Sequence, residues 1–472
     1  MAQPHGERLS AMDLSLLATE DGRAHMHIGS VSLYEAGPLR APHGGIDIDR
    51  VLTFAEAQLP KFPRLRQRLA WVPGFGQPVW VDDEHFNLRF HLRHTALPPP
   101  GDLRALKRLA GRVFSQEFDR AKPLWGYWFV DGVADDRIAV ISKLHHCMAD
   151  GLAGVALGNL LVGPDPDYRP EPAGEWDPRP VPSASRLVLD ELRHRVTAPW
   201  RLLHAGGPVA TGERTPVRAP SIGGIGALLG NAVHHVSPTP LNVDIGPHRR
   251  FDWTRLPFDE VRRIGRTGGG TVNDAVLAMA TGALRAYLHR RGEAVEGLEF
   301  RVVVPVSMRT DAGRSPPGNR VSEMIVRLPL GEPDPRARLR IVTETTRGLK
   351  AAGQAGAGDL LSQAVELLPA RLVGPIFRRA ARSSAANLIV TNVPGPRVPV
   401  FLLGARQLET YPMVPLLANQ ALGIALLSYD GGLFWGFNAD WDAVEDLHDL
   451  VEDVEAAFAE LHSTLDSPGS GE

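Results

Sequence analysis

Segments with helical and extended patterns alternate along this chain, and that alternation is the feature that most constrains its fold. Residues 46–59 and 103–118 carry apolar side chains at helical spacing. Residues 126–131 and 137–144 are short runs typical of strands, and the second run is rich in Ile and Val. The sequence contains no internal repeat of the length that solenoid proteins use. The alternation therefore predicts a mixed α/β fold.

The second half of the chain has the same mixed pattern. A helix is predicted to begin at Thr271 or Asn273, which are both good cap residues, and to end near residue 291. The other predicted elements are strands at 300–306, 387–392, 422–429 and 433–438 and a closing amphipathic helix at 444–461. Asp430-Gly431, between the last two of these strands, is typical of a hairpin turn. Two comparable α/β halves are the simplest interpretation.

Proline and glycine mark the boundary between the two halves. Residues 164–182 are dense in proline and acidic side chains, and residues 206–230 are rich in glycine and proline. Between them, residues 185–205 have the spacing of an amphipathic helix. We predict a first domain at residues 1–180, a connecting region at 181–240, a second domain at 241–465 and a flexible tail at 466–472.

Charge and cysteine content exclude several classes of protein. The 472 residues include 51 Lys and Arg against 54 Asp and Glu, so a net charge of −3 gives no electrostatic reason to expect nucleic acid as the main partner. The single cysteine, Cys147, cannot form an internal disulfide, which favours a reducing compartment. The first ten residues lack the apolar core of a signal peptide, and no apolar run reaches the roughly 18–20 residues of a spanning helix. We therefore predict a cytoplasmic protein, soluble or peripheral to a membrane.

The most chemically informative segment is HHCMADG, residues 145–151, which lies between the predicted strand at 137–144 and a predicted buried helix at 151–162. Adjacent side chains at a strand end point in opposite directions, so His145 and His146 are predicted to do different work. Asp150 could anchor the turn, and Gly151 permits a positive φ or a close backbone approach.

An imidazole, whose ordinary pKa is about 6.5, suits the removal of a hydroxyl proton at neutral pH. On these residues alone, a catalytic and a structural interpretation of the histidine pair are equally supported. A metal site is less favoured because neighbouring histidines diverge and the zincin pattern His-Glu-x-x-His is absent. No Gly-x-Ser-x-Gly elbow is present, and Cys147 is more typical of a small packed residue than of a nucleophile.

The segment at 145–151 resembles the His-His-x-x-x-Asp-Gly motif of the CoA-dependent acyltransferase superfamily, and the chain more narrowly resembles the bacterial wax ester synthase/diacylglycerol acyltransferase family. Further family motifs occur in order between about residues 9 and 462. They are LSAMD at 9–13, PLW at 123–125, PLN at 240–242 with Arg249-Arg250, Asn273-Asp274, VSMR at 306–309, NVPGP at 392–396 and LSYDG at 427–431. Cys147 departs from the alanine that is common in the motif.

The resemblance implies two CoA-dependent-acyltransferase-like domains, each a mixed sheet with flanking helices, joined by a helical crossover. It implies that His146 is the general base, that His145 and Asp150 support it, and that the acceptor oxygen attacks the acyl-CoA thioester directly. No acyl-enzyme, metal or cofactor is expected, and acyl-CoA serves as co-substrate. The implied acceptors are diacylglycerol and, in addition, long-chain alcohols.

The resemblance also assigns substrate-binding roles to Asn273, Asp274, Gly151 and Trp125. Without the family, Asn273 would be interpreted as an ordinary helix cap, whereas a helix N-terminus with an amide also suits a developing oxyanion. The PLW and NVPGP motifs are expected to shape the substrate channel or the domain interface, although proline and glycine are also usual in turns.

Apolar substrates require access to a membrane or a lipid droplet, so peripheral contact with the inner membrane face or with lipid bodies is expected. The predicted helix at 185–205 is the candidate docking element, and its alternative role is that of a plain interdomain helix. Its apolar positions are Leu189, Leu192, Val196, Trp200 and Leu203, and its basic positions include Arg186, Arg193 and Arg195. The arginines Arg249, Arg250, Arg378, Arg379 and Arg382 either meet CoA phosphates or lipid headgroups or form a solvated surface.

Two other functions stay open from the sequence. A non-catalytic lipid-binding protein could use the same fold, because fold alone does not establish turnover. Acyl transfer could also draw on a carrier-protein thioester in place of acyl-CoA. The sequence leaves the preferred acceptor, the acyl chain length and the oligomeric state undetermined.

Overall fold

The computed structural model of the chain describes residues 6–42, 44–148, 160–204, 236–307, 321–351, 374–375, 379 and 385–466. Its strands are β1 (Glu7–Arg8), β2 (His27–Glu35), β3 (Gln67–Trp71), β4 (Pro78–Asp82), β5 (Leu92–Ala96), β6 (Trp125–Val133), β7 (Arg137–His145), β8 (Arg249–Pro257), β9 (Phe300–Ser307), β10 (Val321–Leu328), β11 (Leu388–Pro394), β12 (Phe401–Leu402), β13 (Ala405–Met413), β14 (Leu422–Tyr429) and β15 (Gly432–Asp440). Its α-helices are α1 (Ala11–Thr19), α2 (Ile48–Gln58), α3 (Leu88–His91), α4 (Leu103–Ser115), α5 (Ala184–His204), α6 (Phe258–Thr267), α7 (Val272–Arg290), α8 (Pro335–Ala351) and α9 (Leu447–Asp466).

Two six-stranded sheets organise the described residues. The first has the order β12-β13-β2-β7-β6-β5 and the second the order β10-β9-β11-β14-β15-β8. Strands β5 and β6 are parallel, as are β11 and its two neighbours, whereas the other pairs in these sheets are antiparallel. A small sheet of order β1-β4-β3 lies apart from both. Both large sheets are therefore mixed, which confirms the predicted α/β class.

Two strands of the second half, β12 and β13, complete the sheet of the first half. Strand β13 pairs with β2 in antiparallel register, with Tyr411 opposite Val31 and Met413 opposite Gly29. Nothing in the local pattern of residues 405–413 indicates this exchange, because pairing partners are set by packing across the whole chain. The boundaries at 1–180 and 241–465 stay a prediction, and they do not describe which strands share a sheet.

The two halves also share an apolar core. One cluster of buried side chains brings Phe114 of α4 together with Phe251 of β8, Tyr411 of β13 and Phe434 of β15. Helix α4 approaches β8 so closely that a Cβ at Gly111 would lie 2.7 Å from a backbone oxygen of β8, so only glycine fits there. The halves are consequently packed against each other over a continuous apolar surface.

Most of the elements predicted from the sequence are confirmed, with boundaries that differ by a few residues. They correspond to α2, α4, α5, α7 and α9 among the helices and to β6, β7, β9, β11, β14 and β15 among the strands. The predicted hairpin is present, and its turn residues Asp430 and Gly431 have φ values of 41° and 78°. Most of the predicted helix at 151–162 lies outside the described residues.

Helix α5 confirms the predicted helix at 185–205, but its apolar side chains face outward. Leu189, Leu192 and Val196, here called the apolar stripe, are 64%, 46% and 78% exposed. The opposite face packs on the small sheet through Leu187, while the buried Glu191 pairs with Arg195. The side chains of Trp200 and Leu203 lie outside the described residues. Among the helices that the structure describes, none is both long and apolar enough to cross a membrane.

Candidate active site

The histidine pair lies where strand β7 ends and a short 3-10 turn, His146–Met148, begins. His145 pairs with His27 of β2 and is buried, whereas His146 is half-buried. This difference in burial agrees with the opposite directions predicted for adjacent side chains at a strand end. The sheet therefore fixes His145 inside the protein and leaves His146 nearer to the surface of the site.

Both ring nitrogens of His145 face polar groups of the protein. Nδ1 accepts a hydrogen bond of 3.1 Å from the backbone N–H of Cys147. Nε2 lies 3.3 Å from a carboxylate oxygen of Glu20. Because a backbone N–H can only donate, Nδ1 must carry the lone pair, and the proton of the neutral ring is on Nε2. His145 is thus held in one tautomer and one orientation.

Glu20 follows α1 directly and is buried beneath the histidines. Arg120 donates a hydrogen bond of 2.8 Å to one carboxylate oxygen, and the backbone N–H of Met26 donates one of 3.2 Å to the other. Burial by itself raises the pKa of Glu20, but the nearby His145 and the hydrogen bond and charge of Arg120 outweigh it and hold the pKa at about 2. Glu20 is consequently ionised throughout the physiological range.

The His146 backbone is fixed by the same segment. Its N–H donates a hydrogen bond of 2.7 Å to the carbonyl oxygen of Met26. The Nδ1 atom of His146 is buried and makes no hydrogen bond to another described residue. Desolvation by burial lowers the pKa of His146 below its ordinary value. The imidazole is therefore neutral near pH 7, which is the form that can accept a proton.

Further buried ionisable groups surround the pair. We call His25, His27 and His145, together with Glu20 and Lys143, the histidine cluster. His27 stacks edge-on against Phe118 at 4.7 Å, and desolvation lowers its pKa well below the usual histidine value. Desolvation also lowers the pKa of His25 to about 4 and that of Lys143 to about 7.

Lys143 is buried with its ammonium group enclosed by protein atoms. It donates hydrogen bonds of 2.9 and 2.6 Å to the carbonyl oxygens of Val113 and Gln116. Its nitrogen also lies 4.5 Å from the centre of the Phe118 ring. Glu20, His25, His27 and Lys143 are not predicted as site residues from the sequence, although the alternating His-x-His at the start of β2 was an available signal.

Three other motif residues differ in how much the structure says about them. Asp150 and Gly151 lie outside the described residues, so their predicted roles stay predictions. Cys147 is buried, and desolvation raises the pKa of its thiol well above the usual value. A protonated, enclosed thiol is a poor nucleophile, which supports the interpretation of Cys147 as a packed residue.

In the second half, two predicted motifs meet. Asn273 is in the first turn of α7, and its side-chain oxygen accepts a hydrogen bond of 2.7 Å from the amide of Asn392 in β11. We call these two side chains the amide pair. The contact directs the NH2 group of Asn273 away from Asn392, at the positive end of the α7 helix dipole.

Asp274 is used within the protein. One oxygen of its buried carboxylate accepts hydrogen bonds of 2.7 and 2.8 Å from the backbone N–H and hydroxyl of Thr271. The other accepts one of 2.6 Å from Thr346 of α8. Asp274 therefore caps α7 and ties it to α8, while the predicted contact with substrate stays a prediction.

Trp125 was predicted to bind substrate; it is buried in the core of the first half, and its contact with substrate stays a prediction. Its ring is fully buried, stacks on His91 at 4.4 Å, and donates a hydrogen bond of 2.7 Å to the carbonyl of Leu65. A large aromatic side chain is typical of either location, so sequence alone does not separate them. The PLW motif has another role here, because the carbonyl of Leu124 accepts the 2.9 Å hydrogen bond from His145 N–H.

The arginine candidates lie in different environments. Arg249 is buried, donates to the carbonyl oxygens of Gly246 and His248, and has its pKa lowered to about 10 by desolvation. Arg250 stacks over Trp441 at 3.9 Å. Arg249 also donates a hydrogen bond to the carbonyl oxygen of Arg23, so it links the halves, whereas the contact of Arg250 lies within the second half. Arg379 is exposed, and Arg378 and Arg382 lie outside the described residues.

Among the residues that the structure describes, no group of three or more His, Cys, Asp and Glu side chains is arranged to hold a metal ion. The polar groups of the candidate site include His146 beside the histidine cluster, and the amide pair. His146 supplies a neutral imidazole on a fixed backbone. The amide pair supplies an amide donor at a helix N-terminus. An imidazole of this kind can serve as a base for a hydroxyl, and an amide of this kind can donate to a developing oxyanion.

Two sequence families match the chain in order along its length. The wax ester synthase/diacylglycerol acyltransferase catalytic domain matches residues 9–276, and the WS/DGAT C-terminal domain matches residues 317–462. A protein of Mycobacterium tuberculosis named "Probable diacyglycerol O-acyltransferase tgs1" is 34% identical over 460 residues, which cover 96% of this chain and 95% of that protein.

Solved structures with the same fold cover almost the whole chain. The wax ester synthase/diacylglycerol acyltransferase from Marinobacter aquaeolei VT8 has a TM-score of 0.67 at 24% identity and covers 97% of this chain and 99% of its own. The first condensation domain of the CDA synthetase has a TM-score of 0.55 at 18% identity and covers 99% of this chain and 100% of its own. At these identities the likeness shows the fold alone, and it confirms the two-domain acyltransferase-like architecture.

Proposed function

The chain belongs to the wax ester synthase/diacylglycerol acyltransferase family, and we propose that it is an acyl-CoA-dependent O-acyltransferase. Its acceptor is diacylglycerol, which becomes triacylglycerol, and long-chain alcohols are further acceptors that become wax esters. The single observation that carries this function is the state of His146. It is a half-buried neutral imidazole on a fixed backbone at the end of β7.

The reaction transfers the acyl group in one direct displacement. His146 takes the proton of the acceptor hydroxyl while the hydroxyl oxygen attacks the thioester carbonyl carbon. The tetrahedral intermediate then collapses, the carbon–sulfur bond breaks, and the imidazolium of His146 returns the proton to the departing CoA sulfur. Because Nδ1 of His146 is buried, the proton is taken at Nε2. No acyl-enzyme forms, in keeping with the protonated state of Cys147.

A lowered pKa suits this role for His146. The base must be unprotonated before each turnover, and burial keeps it so at and below neutral pH. His145 and Asp150 support the base, and the hydrogen bond from Cys147 to His145 shows how the turn is held on one side. Asn273 donates its amide hydrogens to the carbonyl oxygen of the donor, where negative charge develops.

Replacing the base tests the assignment. We expect His146→Ala to lower kcat by roughly 10²- to 10⁴-fold, the range that a general base contributes. Product is measured with one long-chain acyl-CoA and a panel of acceptors, and circular dichroism checks the fold. His85→Ala, at an exposed histidine distant in sequence from the motif, is the matched control and should keep wild-type turnover. Undiminished turnover by His146→Ala would refute the assignment.

The same assay separates the remaining alternatives. A protein that only binds lipid gives no labelled ester from acyl-CoA and acceptor under any condition. An enzyme that uses a carrier-protein thioester gives ester from acyl-carrier protein and none from free acyl-CoA. Turnover with free acyl-CoA that depends on His146 is the result that supports our proposal.

We further propose that the enzyme meets its apolar substrates at the inner face of the membrane or at lipid bodies through α5. The apolar stripe projects from this helix on the side away from the small sheet. The exposed arginines Arg186 and Arg193 flank it and are complementary to anionic headgroups. An outward apolar stripe on a helix whose other face is packed fits the interfacial role better than that of a plain interdomain helix.

Vesicle flotation tests this docking element. Vesicles of phosphatidylcholine with phosphatidylglycerol should float the wild-type protein, and replacing Leu189, Leu192 and Val196 by Gln should release it. Neutralising Arg186 and Arg193 should weaken binding and reduce its salt dependence. Val243→Gln changes another exposed apolar residue and serves as control. Unchanged flotation of both α5 variants would refute the assignment.

A further inference from the structure

Glu20 lies at a junction of contacts that the proposed reaction does not itself use. One carboxylate oxygen lies 3.3 Å from Nε2 of His145 and accepts the 2.8 Å hydrogen bond of Arg120. The other accepts the 3.2 Å hydrogen bond of Met26 N–H and lies 3.4 Å from Nε2 of His27. A buried carboxylate is costly unless its oxygens are satisfied, and here each oxygen has two polar neighbours.

The contacts of Glu20 lead to both members of the histidine pair. The first is direct, because Oε2 faces the protonated nitrogen of His145. The second passes through Met26, whose N–H binds Glu20 and whose carbonyl oxygen accepts the His146 N–H at 2.7 Å. One side chain therefore restrains the ring of His145 and the backbone of His146 at the same time.

We infer that Glu20 is a positioning residue for acyl transfer, whose carboxylate holds the His145 ring in place and fixes the Met26–His146 backbone contact so that the His146 imidazole faces the acceptor hydroxyl. This inference rests on the proposed role of His146 as the base. Glu20 touches neither substrate nor the reacting atoms. It acts through the two histidines, as a carboxylate that orients an imidazole does in other sites.

The physical reason is the sensitivity of proton transfer to geometry. Misplacement of a reacting group by about 1 Å can cost roughly 10²-fold in rate. If the Glu20 carboxylate is lost, His145 loses the negative charge that lies 3.3 Å from its Nε2. The 3-10 turn that carries His146 then loses one of its restraints, while substrate-binding surfaces built from other elements are unaffected.

The main test is Glu20→Gln, which keeps size and one carbonyl oxygen but removes the charge and one acceptor. We expect kcat to fall roughly 10- to 100-fold while KM for acyl-CoA stays within about twofold. Glu117→Gln is the matched control, because Glu117 lies 3.8 Å from His25 but is 58% exposed and does not contact the pair. It should keep wild-type kcat. An unchanged kcat for folded Glu20→Gln would overturn the inference.

A double-mutant cycle separates positioning from general support of the fold. If Glu20 acts through His145, then Glu20→Gln should lower kcat much less in a His145→Ala background than in the wild type. The glutamine carbonyl can still accept from Met26 N–H, so that restraint is retained in both backgrounds. If the kcat of the double variant falls by the product of the two single-variant factors, Glu20 acts independently of His145, and the inference is overturned.

A second variant covers the case in which Glu20→Gln does not fold. Arg120→Gln removes the partner of Glu20 at a partly exposed position, and it should lower kcat in the same direction by a smaller factor. Wild-type kcat in folded Arg120→Gln would then overturn the inference. Failure of the function itself is recognised separately, because only then does His146→Ala retain full turnover.

Discussion

The two regions that carry the proposed chemistry are polar in different ways. The histidine cluster, on β2 and β7, at the end of α1 and just before β2, contains buried ionisable groups, and the pKa values of Glu20, His25, His27 and Lys143 differ from their ordinary values. The amide pair, on α7 and β11, contains neutral side chains joined by one hydrogen bond of 2.7 Å. Proton transfer needs groups that change charge, whereas holding a carbonyl oxygen needs only an oriented donor. The difference therefore supports the proposal that the first half transfers the proton and the second half stabilises the oxyanion.

The largest effect that tests this division is expected at Asn273. Asn273→Ala should lower kcat by roughly 10- to 100-fold, less than His146→Ala, because it removes one donor and no base. Asn392→Ala should cost less again, since Asn392 only orients Asn273. Steady-state kinetics with one acyl-CoA and one acceptor measures both. Wild-type kcat in Asn273→Ala would show that the amide pair does not contribute to catalysis.

The next effect concerns Lys143 of the histidine cluster and the pH dependence of the free energy of unfolding. Lys143 has a folded-state pKa of about 7 against an ordinary value of 10.5, so between these values the unfolded chain binds one more proton than the folded protein. The contribution of Lys143 to the free energy of unfolding therefore rises with pH, by about 1.4 kcal/mol per pH unit.

Lys143→Met should remove that slope, because methionine does not titrate. Chemical denaturation at pH 7, 8 and 9 measures it. Lys350→Met changes an exposed lysine of α8 and should leave the slope as in the wild type. If the free energy of unfolding of Lys143→Met still rises with pH by the same amount, the buried ammonium group is not the source of this pH dependence. The difference between the ionisable histidine cluster and the neutral amide pair would then be less important.

The smallest effect is expected at Asp274, which lies beside the amide pair at the start of α7. Asp274→Ala removes the cap of α7 and the link to Thr346, so the free energy of unfolding should fall by about 1–2 kcal/mol. KM should stay near the wild-type value if the carboxylate is structural. Asp449→Ala, in the first turn of α9, is the control. A raised KM without loss of stability would instead support the predicted contact of Asp274 with substrate.

Several elements and turns were predicted correctly from local sequence features. The strand ending at His145 and the helix beginning after Thr271 followed from local periodicity and cap chemistry, and the turn at Asp430-Gly431 from its need for positive φ. The divergence of His145 and His146 followed from strand geometry. Trp125 shows the limit, because an aromatic residue in a family motif fits a core and a substrate channel equally well until its neighbours are known.

By itself, then, the sequence determined the mixed α/β class, most of the elements, the family and the histidine pair, because each of these depends on residues close together in the chain or on a motif. Only the tertiary structure decided that Glu20 joins His145 to Met26, that β13 completes the first sheet, and that the apolar stripe of α5 faces outward. Those features depend on contacts between residues far apart in sequence. Such contacts are selected by packing and burial across the whole molecule, and no local pattern encodes them.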